Sequence, residues 1–260
     1  MVQYSIFSTN YKSSKGRVFC EKDDPNRTCF MRDRDRIIHS SAFRRLKYKT
    51  QVFVHHEEDY FRTRLSHSLE VSQLSRSISK VFNINDDLTE SISLSHDLGH
   101  TPFGHAGEEV LNKKMKGKGG FNHNYQALKI LTVLEKKYLD FDGLNLTFET
   151  LDGILKHNGP ITSVLPSYIQ SFINFFGGEK KSQGSFEAQI AAICDDIAYN
   201  NNDIDDGLYA GLFEIEELNE LEIIKDAFKK INLKKSKEYR RIKYELIRKL
   251  INIMVDDLIR

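Results

Sequence analysis

Apolar residues recur along this chain at helical rather than alternating spacing. Leu69, Leu74, Ile78 and Val81 share one face after Ser66, and Ile37, Ile38, Ala42 and Leu46 do the same in the segment before it. Positions three, four and seven apart lie on one side of an α-helix, so both stretches read as amphipathic helices with those residues inward. The same period predicts helices over 87–98, 108–115, 123–136, 148–157 and 186–199, and a long pair over the last fifty residues. No stretch alternates as a half-buried strand would. Pro25, Pro102, Pro160 and Pro166 all fall between these segments, where a residue without a backbone N–H is tolerated. The expected fold class is all-α: one helical domain over 31–260 preceded by an N-terminal arm over 1–30. The Gly- and Lys-rich stretches 116–120 and 177–184 read equally well as lids or as connections.

Composition narrows the class. With 260 residues, 40% hydrophobic and 29% charged, the chain can bury a core without staples and is not a disordered segment. Cys20, Cys29 and Cys194 are odd in number and contain no C-x-x-C pair, which argues against a disulfide framework and for the reducing cytoplasm. No run approaches the ~20 apolar residues that a bilayer requires, so no membrane partner is expected. The net charge of +1 hides segregation: residues 32–49 carry +5, residues 195–222 carry −10 and residues 225–260 carry +7. Blocks of opposite sign can lie against one another, and a basic block can also meet phosphates.

Candidate chemistry concentrates in one region. Four of the nine histidines, His67, His96, His100 and His105, fall within 39 residues, and His96 is followed by Asp97. A His-Asp dipeptide alone is a weak signal. Adjacent residues diverge by about 100° on a helix, so the two can share an ion only near a last turn, and Gly99 supplies a helix stop there. A third ligand from His67 and a fourth from a carboxylate on a later helix would complete a mixed nitrogen and oxygen shell.

Longer motifs surround that cluster. RTRLSHSLEV (62–71), SHDLGHTPFGHAGE (95–108), FNHNYQALKI (121–130) and CDDIAYNNNDIDD (194–206) resemble the successive motifs of the HD-domain deoxynucleoside triphosphate triphosphohydrolases, the dGTPase family. RDRDRIIHSSAFRRLKYKTQVF (32–53) resembles that family's N-terminal signature. The likeness runs unbroken over about 32–206. It implies an HD-domain bundle with a metal site between helices, a homo-oligomer, and hydrolysis of dGTP or several dNTPs to deoxynucleoside and tripolyphosphate. Chains of that family usually continue with further helices beyond the segment resembling LIRKLINIMVDDLIR (246–260).

The resemblance further implies that a divalent ion (Mg, Mn, Fe, Co or Zn) is held by His67, His96, Asp97 and one member of the pair Asp195–Asp196. With Ile190, Ile193, Cys194 and Ile197 as the buried stripe of their helix, Asp195 lies on the opposite side, near Tyr199, and is the one expected. His105, His100 and His123 are implied around the phosphates, with Glu108 fixing the tautomer of His105. Gln51 and Asp203 match positions that hold the sugar 3′-hydroxyl, and Arg64, Tyr199 and Lys156 match triphosphate contacts. Asp205 and Asp206 read as solvated acidic surface. Water would attack the α-phosphorus, and the 5′-oxygen would leave with a proton from His105, or else His123. Two alternatives remain open: an HD-type nucleotide phosphomonoesterase, and a non-catalytic protein that binds nucleotide or nucleic acid through 32–49.

Overall fold

The computed structural model describes residues 4–53, 60–162, 165–232 and 238–260. Their helices are α1 (Cys29–Ile38), α2 (Ser41–Arg45), α3 (Arg64–Val81), α4 (Asp86–Ser95), α5 (Gly104–Lys114), α6 (His123–Lys129), α7 (Phe148–Leu155), α8 (Ser167–Phe176), α9 (Phe186–Tyr209), α10 (Ile215–Leu218), α11 (Glu222–Lys229) and α12 (Tyr239–Ile259). Among the described residues there is no β-strand, only the isolated bridges Thr50–Thr63 and Lys136–Gly143, so the fold is all-α. No helix among them is long and apolar enough to cross a membrane.

Several boundaries differ from the periodic reading, each for a local reason. The helix expected to run through Ile37 and Leu46 breaks at His39, because the Ser40 side chain accepts from the Phe43 N–H at 3.0 Å and starts α2 afresh. Helix α5 begins at Gly104 rather than at residue 108, and α9 continues past Tyr199 to Tyr209. Helix α8 was not expected, although Ile169, Phe172 and Ile173 give it a short buried stripe. The last fifty residues hold short α10 and α11 and long α12 instead of two long helices; 233–237, between α11 and α12, lie outside the described residues.

The largest departure is the buried face of α3. Leu69 and Val81, expected inward, are about half exposed, and the buried face is instead His67, Ser68, Val71, Ser72, Ser75, Ile78 and Ser79. Serine there is an interior residue. The Ser75 hydroxyl meets that of Ser93 at 2.8 Å, and the Ser79 hydroxyl donates to Thr89 at 2.9 Å, so α3 and α4 approach closely with their buried hydroxyls paired. A hydropathy pattern counts these positions as solvent-facing. Likewise Ile193, expected in the stripe of α9, is 40% exposed, while Ile190, Cys194, Ile197 and Ala198 are buried.

The main core joins α1, α2, α6, α7 and α8 through Ile37, Leu46, Leu98, Leu128, Leu151, Ile154 and Ile169. A second core, Leu208, Ile215, Ile224, Leu246 and Leu250, gathers the end of α9 with α10, α11 and α12. The oppositely charged blocks do meet. Asp205 and Asp206 are buried, not solvated: Arg62 reaches them at 2.8 and 2.7 Å, and the Lys243 ammonium lies 3.0 Å from Asp205. The chain before α1 is pinned by the same means. Arg17 donates to Asp33 at 2.5 Å, Arg36 pairs with Glu21 at 2.7 Å, and Thr9 donates twice to the buried Glu187.

Asp33 links that segment to α7. Fully buried, its carboxylate accepts from the Thr147 N–H (2.9 Å), the Thr147 hydroxyl (2.6 Å) and the Thr150 hydroxyl (2.8 Å) as well as from Arg17. Asp33→Ala would leave a buried guanidinium and three donors without their acceptor, a loss of about 3–5 kcal/mol on the scale of broken buried ion pairs. Urea unfolding of the two proteins measures it. A difference under about 1 kcal/mol would show that α7 does not depend on this clamp.

Candidate active site

Four elements deliver side chains to one point. The Thr50–Thr63 bridge sets the entry to α3, where the Thr63 hydroxyl caps the first turn and places Arg64 and His67 inward. At the end of α4 the backbone tightens into a 3₁₀ turn, His96–Gly99, which lets His96 and Asp97 face the same space. Asp195 comes from the middle of α9. Gly99 packs this turn against α6 by close approach rather than through a left-handed stop: a Cβ there would lie 1.9 Å from the His123 carbonyl oxygen and 2.4 Å from the Ala127 nitrogen.

Asp195 sits among imidazoles. Its Oδ1 is 2.7 Å from His67 Nε2 and 3.5 Å from His96 Nε2, and its Oδ2 is 3.0 Å from His157 Nε2. Asp97 Oδ1 accepts from Arg64 at 2.8 Å and lies 3.5 Å from His96 Nε2 and 3.3 Å from His100 Nε2. His67, His96 and Asp97 form one group with ligand atoms within 4.8 Å of one another, and His96, His157 and Asp195 form another. Asp196, the neighbour, is exposed and makes none of these contacts.

The donor set fits a divalent cation. His96 Nδ1 donates to the Ser93 carbonyl at 2.6 Å, which turns Nε2 toward the two carboxylates, and this buried Nε2 has no hydrogen-bond partner. Asp97 Oδ2 is buried and unpartnered too. Each such orphan costs about 1–3 kcal/mol unless something satisfies it. Burial disfavours charge on His96, yet Asp195 and Asp97 outweigh it and raise the imidazole to about 9. Burial likewise opposes ionisation of Asp97 and Asp195, but the surrounding imidazoles, with Arg64 beside Asp97, hold both carboxyls well below the usual range. The cluster therefore draws in positive charge. Imidazole nitrogen and carboxylate oxygen together suit borderline and hard divalent ions.

Two small adjoining cavities open from the cluster. One, of about 280 Å³, is lined by Gln51, Arg64, His67, Asp97, Phe103 and neighbours. The other, of about 300 Å³, is lined by His96, His123, His157, Asn158, Ala192 and Asp196; His100, His105, Asp195 and Tyr199 border both. The structure thus brings together His67, His96, Asp97, Asp195, Gln51, Arg64, His100, His105, His123 and Tyr199. Asp203, expected at the sugar, lines neither cavity; it stands one turn beyond Tyr199 on α9, where its carboxyl and the tyrosine hydroxyl influence one another.

Two further expectations need correction. Lys156 lines neither cavity: it is buried, with its ammonium 3.0 Å from Asp152 and donating to Ser182 at 2.9 Å. Glu108 does not hold His105, whose Nδ1 is 3.8 Å away and whose ring is 74% exposed. It accepts instead from His123, from the ring Nδ1 at 2.8 Å and the backbone N–H at 2.9 Å. The i, i+3 spacing puts Glu108 beside His105, but the capped start of α6 offers two donors at once.

His157 was missed as a site residue. The run Lys156-His157-Asn158-Gly159 carries a turn signal at the end of a helical pattern, and the histidine inside it was the available clue. Lys49 was also passed over; its ammonium donates to the carbonyls of Leu98 (3.2 Å) and His100 (2.8 Å) and braces the turn from outside.

His67, His96, Asp97 and Asp195 thus meet at one point, within the stretch that a family comparison identifies. The HD domain model matches residues 64–200, and the chain belongs to the HD-domain family. The chain is 53% identical over 260 residues to a protein of Parvibaculum lavamentivorans named deoxyguanosinetriphosphate triphosphohydrolase-like protein, a match covering 97% of this chain and 66% of that one. Proteins of the same name from Roseobacter denitrificans and Pelagibacter ubique are 49% and 55% identical over 255 and 248 residues, covering 98% and 93% of this chain. The chain spans 66% of the length of each of these relatives.

Because Gly99 presses on α6 with no room for a methyl group, Gly99→Ala should push the His96–His100 turn away from His123. We expect a lower melting temperature together with weaker binding of added Mn²⁺, read by thermal unfolding and by titration calorimetry. Unchanged values in both would show that the turn and α6 tolerate a gap between them.

Proposed function

We propose that the chain hydrolyses deoxynucleoside triphosphates, adding one water and releasing the deoxynucleoside and inorganic tripolyphosphate. One observation carries this reading: the His/Asp cluster borders two adjoining cavities whose walls include Arg64, Gln51, Tyr199 and three further imidazoles, a set suited to a phosphate chain and a sugar hydroxyl together. The names of the relatives point the same way. A phosphomonoesterase would need the cluster but not this company. The three free cysteines fit a cytoplasmic enzyme.

In this reading His67, His96, Asp97 and Asp195 hold a divalent ion. Bound there, the ion supplies positive charge to phosphate oxygens and lowers the pKa of a water. Arg64 is fixed by Asp97 through one nitrogen, and its buried Nε, which has no protein partner, is left to donate to a phosphate oxygen. Burial pushes His100 down to about 2, so its ring is neutral and serves the phosphates through hydrogen bonds rather than charge. Gln51, whose Oε1 is buried without a partner, accepts from the sugar 3′-hydroxyl, with Asp203 acting beside it through Tyr199.

The leaving 5′-oxygen needs a proton. We assign the donor to His123 ahead of His105, reversing the order expected from the motif, because Glu108 binds His123 Nδ1 and leaves Nε2 free to pass the proton. His123 also stacks on His100 at 4.1 Å, which fixes its ring plane, whereas His105 stands exposed at the mouth as a second phosphate contact.

The test is incubation of the metal-loaded protein with each dNTP, with chromatographic identification of the products. Tripolyphosphate and deoxynucleoside are expected. Orthophosphate would move the protein to the phosphomonoesterase reading, and nucleotide binding that survives chelation without turnover would make it a binding protein. His123→Ala should lower kcat by roughly 10²–10⁴-fold with KM little changed. A larger kcat loss in His105→Ala than in His123→Ala would restore His105 as the donor.

A further inference from the structure

We infer that His157 is a positioning residue for the metal cluster, which orients Asp195 and braces His96; the inference rests on the metal reading above. Asp195 projects from α9, and each of its oxygens is spoken for separately. Oδ1 faces His67 and His96, while Oδ2 accepts from His157 Nε2 at 3.0 Å. A carboxylate free to turn about its last torsion presents either oxygen; one held through Oδ2 keeps Oδ1 toward the cluster. The same imidazole lies on His96, with ring centroids 5.0 Å apart and planes 24° from parallel. With Nδ1 held by the Ser93 carbonyl and one ring face covered by His157, His96 has little freedom to turn Nε2 away.

The turn carrying His157 is built to stay in place. Lys156 is tied to Asp152 and Ser182, so the lysine that sequence likeness assigned to phosphate instead anchors the residue before His157. Asn158 accepts from the Asn124 side chain at 2.9 Å, which joins the turn to α6. The Gly159 N–H returns to the Lys156 carbonyl at 2.8 Å and closes the turn around His157, and its φ of +95° directs the chain onward into Pro160. The His157 side chain is buried, and its Nδ1 has no protein partner, so the one hydrogen bond of its imidazole is to Asp195.

The experiment compares Mn²⁺ affinity, by the free-ion electron paramagnetic resonance signal, in wild type, Asp97→Ala, His157→Phe and His157→Gln, with folding checked by circular dichroism. Phe keeps a ring against His96 but removes the donor; Gln restores an N–H near the position of Nε2. His157→Phe should bind roughly 10–100-fold more weakly, the usual effect of removing a group that orients a metal ligand, and His157→Gln should recover most of that loss. If His157→Phe does not fold, His157→Ala takes its place with the same expected loss. Wild-type affinity in the folded Phe or Ala variant would overturn the inference alone. Equal weakness of Gln and Phe would also overturn it, since the donor would then not be what matters. Equal Mn²⁺ affinity in wild type and Asp97→Ala would instead remove the metal reading, and the inference with it.

Discussion

A half-buried carboxylate surrounded by imidazoles is the constraint around which this molecule is arranged. Asp195 lies in the middle of a 24-residue helix, with its side chain largely withdrawn from solvent so that an unpaired charge would be costly, and it touches His67 from α3, His96 from the end of α4 and His157 from the turn after α7. Those elements must therefore converge on α9. The serine-lined contact of α3 with α4 allows it, since hydroxyls that pair with one another let two helix backbones approach where leucines would hold them apart. Asp97 is held in turn by Arg64, so the guanidinium offsets one of the two carboxylates.

The same logic of paired buried charge extends outward. Arg62, two residues before Arg64, is clamped by Asp205 and Asp206 from the far end of α9, and Lys243 of α12 completes that network under the rings of Tyr60, Tyr209 and Tyr244. Because Arg64 N–H also donates to the Lys49 carbonyl, the entry to α3 is fixed from both sides. The charge segregation along the chain thus has a structural use. At the acidic end of α9, Asp205 pairs with Lys243 of the C-terminal helix and, with Asp206, holds Arg62 two residues before the cavity-lining Arg64.

The helical class was legible because period is a local property, and the grouping of His67, His96, Asp97 and Asp195 because the successive motifs around them resemble those of one family. What stayed hidden depended on tertiary choices. Ser68, Ser72, Ser75 and Ser79 look like a wet face until α4 supplies partners, and Asp205 and Asp206 look like a solvated patch until Arg62 and Lys243 arrive. Glu108 has two histidines within reach, and only the fold of the 115–122 connection decides for His123. Lys156 and His157 are adjacent, and the end of α7 turns one into an anchor and the other into the site.

The central claim is that His67, His96, Asp97 and Asp195 hold one divalent ion. Its most direct test is an anomalous difference map from crystals grown with Mn²⁺ and measured at a wavelength where manganese scatters anomalously. One strong peak is expected within about 2.0–2.3 Å of an imidazole nitrogen from His67 and from His96 and of an oxygen from Asp97 and from Asp195, the range for imidazole and carboxylate ligands of such ions. A crystal with Mn²⁺ at saturating concentration that shows no peak among these four side chains, or shows it elsewhere, would contradict the account.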